Sequence, residues 1–254
     1  MAECHLSRAP VTPCRHRARL AALVLAFVGM AACLPLHAQT SSVTGAVGVS
    51  SELVDRGLAV SPPTPILQGA LSWTSPSGWS LGASAATQIR SPGNVSEALA
   101  QVSKYWSLSN DWQMRGSLLY YDYPGNVSAK YLDRTEASVD WIYRDILTFG
   151  LSGISLIQGN EHQPRGAADV NFRWPLAWHF SVSAGVGVAQ SLPSPYGSYG
   201  YDRASVYRYG QLGLIWSYGP WRMELDRLAT NPGSRQQLGN LVASPWVGSI
   251  SWSF

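Results

Sequence analysis

The sequence predicts an all-β fold: an antiparallel up-and-down transmembrane β-barrel of about twelve strands behind a cleaved signal peptide. Three observations carry this. Only 13% of the 254 residues are charged, about half the usual share of a globular domain. Beyond residue 40, apolar and polar residues alternate with period two in one segment after another, and no capped helical pattern intervenes. The connectors alternate between short and long, a sorting by end that suits bacterial outer-membrane barrels. Plentiful aromatic residues with sparse charge exclude a disordered chain.

The first element is a leader. Arg8, Arg15, Arg17 and Arg19 precede the apolar run Leu20 to Cys33, and Leu36-His37-Ala38 ends on a small residue. A basic start, apolar centre and small exit define a secretory signal peptide, residues 1–38, leaving 39–254 as the barrel. The run of 14 residues is short against the roughly 20 that a membrane helix needs. A rival cut before Cys33 uses the lipoprotein-like Met30-Ala31-Ala32-Cys33, with an unusual Met. The leader holds four of 18 basic and one of 15 acidic residues, so the remainder carries fourteen of each. The electrostatic case for a nucleic-acid partner leaves with it. Cys4, Cys14 and Cys33 leave too, so residues 39–254 offer no disulfide, thiolate metal ligand or thiol nucleophile.

Twelve segments then follow: 43–51, 64–74, 79–88, 97–108, 112–121, 133–143, 146–157, 167–174, 178–189, 205–218, 221–229 and 245–254. The last is the clearest, with Trp246, Gly248, Ile250, Trp252 and Phe254 on one face and Val247, Ser249, Ser251 and Ser253 on the other. Short connectors of the Ser75–Gly78 kind alternate with long ones at 52–63, 89–96, 122–132, 158–166, 190–204 and 230–244. The long ones are expected outside the cell, with 190–204, rich in Tyr, the candidate to fold inward as a plug. Trp73, Trp79, Trp106, Trp112, Trp141, Trp174, Trp178, Trp216, Trp221 and Trp252 cluster by the short turns and the carboxyl end. Indole favours the headgroup level, so these ten predict a periplasmic aromatic girdle.

The segment Val43 to Ser84 resembles the TorF-type porin family of the bacterial outer membrane. The matching residues are Val43-Thr44-Gly45, Ser51-Glu52-Leu53-Val54-Asp55-Arg56-Gly57-Leu58, Pro65-Ile66-Leu67-Gln68-Gly69-Ala70-Leu71 and Ser77-Gly78-Trp79-Ser80-Leu81-Gly82. The family pattern prefers an aromatic near Leu53 or Asp55 and a glycine at Ala70, so the chain resembles a distant member. The resemblance implies a barrel with a channel role and supplies no catalytic residue, cofactor or metal. The ending Ser251-Trp252-Ser253-Phe254 is similar to the signature read by the barrel assembly machinery, which makes Phe254 an assembly signal.

Alternation places Arg115, Arg134, Arg173 and Arg222 on the lumen face with Glu136, Asp140, Asp169, Glu224 and Asp226. Arg115, Asp140, Arg173, Arg222, Glu224 and Asp226 are the expected pore lining, and near-balance predicts weak ion selectivity. Arg208 and Arg227 fall on the lipid face near the outer rim, where guanidinium suits lipopolysaccharide phosphates. Lys104 also falls on the lipid face, but beside the girdle residue Trp106, where its ammonium can snorkel to the periplasmic interface, unless a bulge turns these charges inward. The expected function is passive diffusion of small polar solutes through the outer membrane of a Gram-negative cell. The alternatives are a closed structural barrel or loop-mediated binder and, third, a lipid hydrolase. The hydrolase rests on His179 and Ser181, similar to the His-x-Ser of lipid A deacylases, which lack any partnering triad geometry here. His162 beside Glu161 is expected in a solvated loop. Oligomeric state is open.

Overall fold

The computed structural model describes residues 41–125, 132–157, 164–190, 206–231 and 242–254. The leader, His162, Glu161 and the loop 191–205 lie outside them. Among the described residues fourteen strands run in chain order: β1 Ser42–Ser50, β2 Val54–Asp55, β3 Leu58–Ala59, β4 Ile66–Thr74, β5 Trp79–Gln88, β6 Val95–Ser107, β7 Trp112–Asp122, β8 Arg134–Tyr143, β9 Leu147–Leu156, β10 Arg165–Pro175, β11 Phe180–Gln190, β12 Val206–Tyr218, β13 Trp221–Thr230 and β14 Trp246–Ser253. All but β2 and β3 form one closed antiparallel barrel of sequential neighbours, sealed where β1 pairs with β14 and with β4. The fold is a transmembrane β-barrel of twelve strands, each 8 to 13 residues long, as a tilted crossing of the hydrocarbon layer requires.

Period two fixes the faces. Val43, Leu71, Leu118, Leu151, Val186 and Leu212 all point outward with more than half their surface exposed. A soluble protein rarely leaves such a belt uncovered; here lipid covers it. Arg208 and Arg227 share this outer face in unbroken ladders, and Arg227 lies 5.2 Å from the Trp246 ring. Lys104 reaches back to the carbonyl of Ser77 and lies over Trp79. The inward-turning bulge is therefore absent at these charges; the register shift lies elsewhere, at Ala86/Thr87.

The turn end departs from the expected boundaries at one strand. Trp178 and His179 do not open β11: they form a two-residue turn with φ of 64° and 67°. Such a turn matches the twist of its flanking strands, even without glycine. Trp178 is 86% exposed at the turn tip, and His179 is edge-on to Tyr218 at 5.2 Å. His179 is thus an exposed turn residue rather than a lumen strand residue, and its pairing with Ser181 of β11 on one strand face dissolves. The other nine Trp of the expected girdle stand on strands near the turn end.

Candidate functional site: a hairpin docked in the lumen

The segment between β1 and β4, expected as an outer loop, folds into the barrel. Val54 pairs with Ala59 and Asp55 with Leu58, making a two-stranded hairpin. Its turn is Arg56-Gly57, with φ of 48° and 75°. Two successive positive φ values define the turn type that suits a two-residue hairpin, and glycine accepts the second without strain. The base is tied by Val60 N–H to the Leu53 carbonyl at 3.0 Å and Leu53 N–H to the Ser61 hydroxyl at 2.9 Å.

One side of the hairpin docks as a core docks. Leu58 and Val60, 2% and 1% exposed, pack with Tyr123, Ile154, Ala167 and Tyr207 from the surrounding wall. Burying two such side chains contributes about 1.5–3 kcal/mol each. Leu58 also bridges to Val242, and the Gly57 carbonyl accepts from Ala243 N–H and the Thr230 hydroxyl, each at 3.3 Å. At the base, Glu52 accepts from Ser244 N–H at 2.8 Å.

The tip is held by charge. Arg56 forks onto both oxygens of Glu136 and donates to Ser152 at 3.1 Å. Asp55 pairs with Arg134, a fully buried cation whose guanidinium lies 3.9 Å from the Tyr121 ring. Arg134 also donates to the Tyr123 hydroxyl at 3.2 Å. Burial pushes the Tyr123 pKa up, so the phenol remains neutral there. Burial alone would lower the Arg56 pKa; the Glu136 hydrogen bond and the Asp55 charge outweigh it, and the net shift is upward. The tip is thus a cluster of two guanidinium groups with Asp55 and Glu136, and Glu97 lies close enough to act on Asp55 and Arg134; such a set is costly to break.

Between the hairpin and the short turns the lumen is open: Ala70, Asn171, Gln211 and Ser249 face it and are exposed. The expected lining residues all face this space by register. Arg115 pairs with Asp140 at 2.9 Å and Arg222 with Glu224 at 2.8 Å. Arg173 is exposed at the turn end, and Asp226 stands next to Glu224 on the same face of β13. The expected list missed Arg56, Asp55 and Arg165, all at or near the hairpin level. The segment 52–65 folds inward, a correction to its expectation as an outer loop; the expectation for 190–204 falls almost wholly outside the described residues. Among the described residues no three His, Cys, Asp or Glu side chains come together as a metal-ligand set.

No family model and no curated protein matches the chain. Among solved structures it is similar to a KdgM porin, with a TM-score of 0.53 at 6% identity over 83% of this chain and 99% of that one. It is also similar to a NanC porin, with a TM-score of 0.52 at 15% identity over 84% and 99%. A KdgM porin in complex with disordered oligogalacturonate gives 0.51 at 7% identity over 84% and 99%. At these identities the likeness is one of fold: the chain is a closed transmembrane β-barrel of the porin type.

Proposed function

We propose that the protein is an outer-membrane channel for passive diffusion of small polar solutes, with the 52–65 segment as its constriction. The observation that carries this reading is a docked hairpin crossing one half of the lumen above an open, polar half. The porin fold supports it, and channels of that fold perform no chemical step. Near-balance of lining charge favours weak ion selectivity. Four lumen arginines, Arg56, Arg115, Arg134 and Arg222, are taken up by carboxylates, so a polyanion such as the oligogalacturonate of the similar KdgM complex is not the solute we infer. Residues 51–58, which carry much of the TorF-type resemblance, are the hairpin and its approach, which favours placing the chain as a distant member of that family.

The same reading assigns export by the leader with cleavage after Ala38, and assembly through the β14 ending at Phe254. It places the ten Trp at the periplasmic headgroup level, and Arg208 and Arg227 against lipopolysaccharide phosphates.

One observation favours a second reading. Leu58 and Val60 are buried as deeply as a domain core, which suits a permanently closed barrel or a loop-mediated binder. Planar bilayers separate the two. We expect discrete conductance steps from the purified protein, and larger steps when residues 53–60 are replaced by a Gly-Ser linker. A silent native barrel with a conducting variant would establish the closed reading. Silence from both, with correctly folded protein, would remove the channel.

A further inference from the structure

We infer that the weak selectivity of the passage has a cation sign, carried by Asp169 of β10 and Asp226 of β13; this rests on the channel reading above. Which lumen charges act on a solute is decided by pairing. Arg115 is closed by Asp140, Arg222 by Glu224, and Arg56 and Arg134 by Glu136 and Asp55. Each such pair presents a dipole to the passage. Among the described residues, Asp169 accepts the amide of Asn171, at 3.3 Å, and forms no ion pair. Asp226 keeps its Oδ1 enclosed without a hydrogen-bond partner, as does the neighbouring Ser183 hydroxyl.

The wall is shaped to hold these two acids. Asp140, Gly150 and Asp169 stand side by side on β8, β9 and β10, and Ser183, Gly213 and Asp226 on β11, β12 and β13. A Cβ on Gly150 would fall 2.4 Å from Asp169 Oδ2, and one on Gly213 would fall 2.2 Å from Asp226 Oδ1. In both triplets the glycine leaves the space that the carboxylate occupies. The acids therefore lie across the wall at fixed height instead of swinging into the water. The Asp226 Oδ1 beside Gly213 is an acceptor left without a donor among the described residues, which a hydrated or amino-bearing cation can satisfy, with the neighbouring Ser183 hydroxyl free to donate or accept.

Arg56 and Arg115 act on Asp169 and Arg222 acts on Asp226, but each does so from within an ion pair, and the far wall adds no charge. The strands β14, β1, β4 and β5 carry no charged residue, and their lumen positions are Ser, Thr, Gln, Ala, Gly, Ile66 and Val247. Two further lumen cations, Arg165 and Arg173, each stand four residues along β10 from Asp169, about 13 Å at the usual strand rise. That exceeds the screening length of about 8 Å in physiological salt. Two acids in a narrow, low-dielectric passage raise the local concentration of cations and oppose anions.

The test is the reversal potential across a planar bilayer in a KCl gradient. It is measured on the native protein, on the D169N/D226N variant, and on both in the background with 53–60 replaced by linker. Heat-modifiable migration confirms that each barrel is folded. We expect a reversal potential of cation sign, carried toward zero in D169N/D226N while conductance is retained, and made more cation-selective by R173Q. A reversal potential near zero or of anion sign in the conducting barrel overturns the inference. So does a potential that D169N/D226N leaves unchanged. If neither background conducts, the channel reading fails and this inference fails with it; a conducting but non-selective barrel sinks only the latter.

Discussion

Glu136 joins two cations that come from different parts of the chain, Arg56 at the hairpin tip and Arg134 in the wall. Removing the carboxylate leaves two guanidinium groups facing each other where water is scarce. Glu136→Ala should therefore lower stability to urea in lipid vesicles by about 3–5 kcal/mol, with Glu136→Gln losing less. By contrast Arg222 is 43% exposed, so Arg222→Ala should change stability by under about 1 kcal/mol while altering single-channel conductance, as should Arg115→Ala. At the turn end, the hydrogen bond from Arg144 holds the Asp111 carboxyl below its usual value. A lowered carboxylate pKa gives stability that is present above the unfolded value of about 3.9. That contribution is lost as pH falls through the lower folded value. A carbon-13 carboxyl titration should place the Asp111 midpoint below that of a model peptide, and Arg144→Gln should return it. Most strand-borne lumen acids and arginines are legible from alternation, because a strand offers only two faces; Glu97 and Arg165, near the starts of β6 and β10, are the ones it passes over. The partners of these charges are not legible, since pairing across strands depends on register, which period two leaves free in steps of two residues.

The hairpin is the element that sequence reasoning placed on the wrong side. Residues 52–63 hold Pro62, Pro63 and a Gly and connect two strong strands, which is how a solvent loop reads. A signal was nevertheless present: Val54-Asp55-Arg56-Gly57-Leu58-Ala59 has short flanking pairs around a two-residue X-Gly turn, with an apolar run through Val60. What no local pattern could supply is the partner surface, since Tyr123, Ile154, Ala167 and Tyr207 come from four distant parts of the chain. At position 57 a Cβ would fall 3.0 Å from Thr230 Oγ1 and from the Tyr209 Cβ, at a φ of 75°. Gly57→Val should therefore loosen the dock. In a Leu58→Cys background, the thiol should resist maleimide in the folded barrel and become reactive once Gly57→Val is added. A thiol that reacts equally fast in both would show that the hairpin does not hold its place.

At the scale of the whole molecule, all five short turns and both chain ends of the barrel lie at one end, and the long connections at the other. Single cysteines in intact cells report this directly, because residues 39–254 contain none. Gly93 should label from outside and Asn110 should not. Val60, although it belongs to a long connection, should stay unlabelled because it is 1% exposed. The predicted strands match the observed ones to within about two residues at nearly every boundary, because the bilayer imposes a hard contrast between faces and a fixed crossing length. The departures come at Trp178 and His179, where a turn without glycine gives no compositional mark, and at β6, where the bulge lengthens the strand.

The hairpin follows the first strand, yet its fastenings include Thr230 and Ala243, which the chain supplies near its end. A growing or threading barrel therefore carries its own stopper from the outset without anywhere to lodge it. Only after β13 arrives and β14 closes onto β1, with Phe254 and Gly45 exchanging backbone bonds of 2.8 Å, is the dock complete. Contacts so distant along the chain form late. During refolding into vesicles, the heat-resistant compact form should thus appear before Leu58→Cys becomes protected. The delay between the two would time the interval in which the newly closed wall still encloses an empty bore.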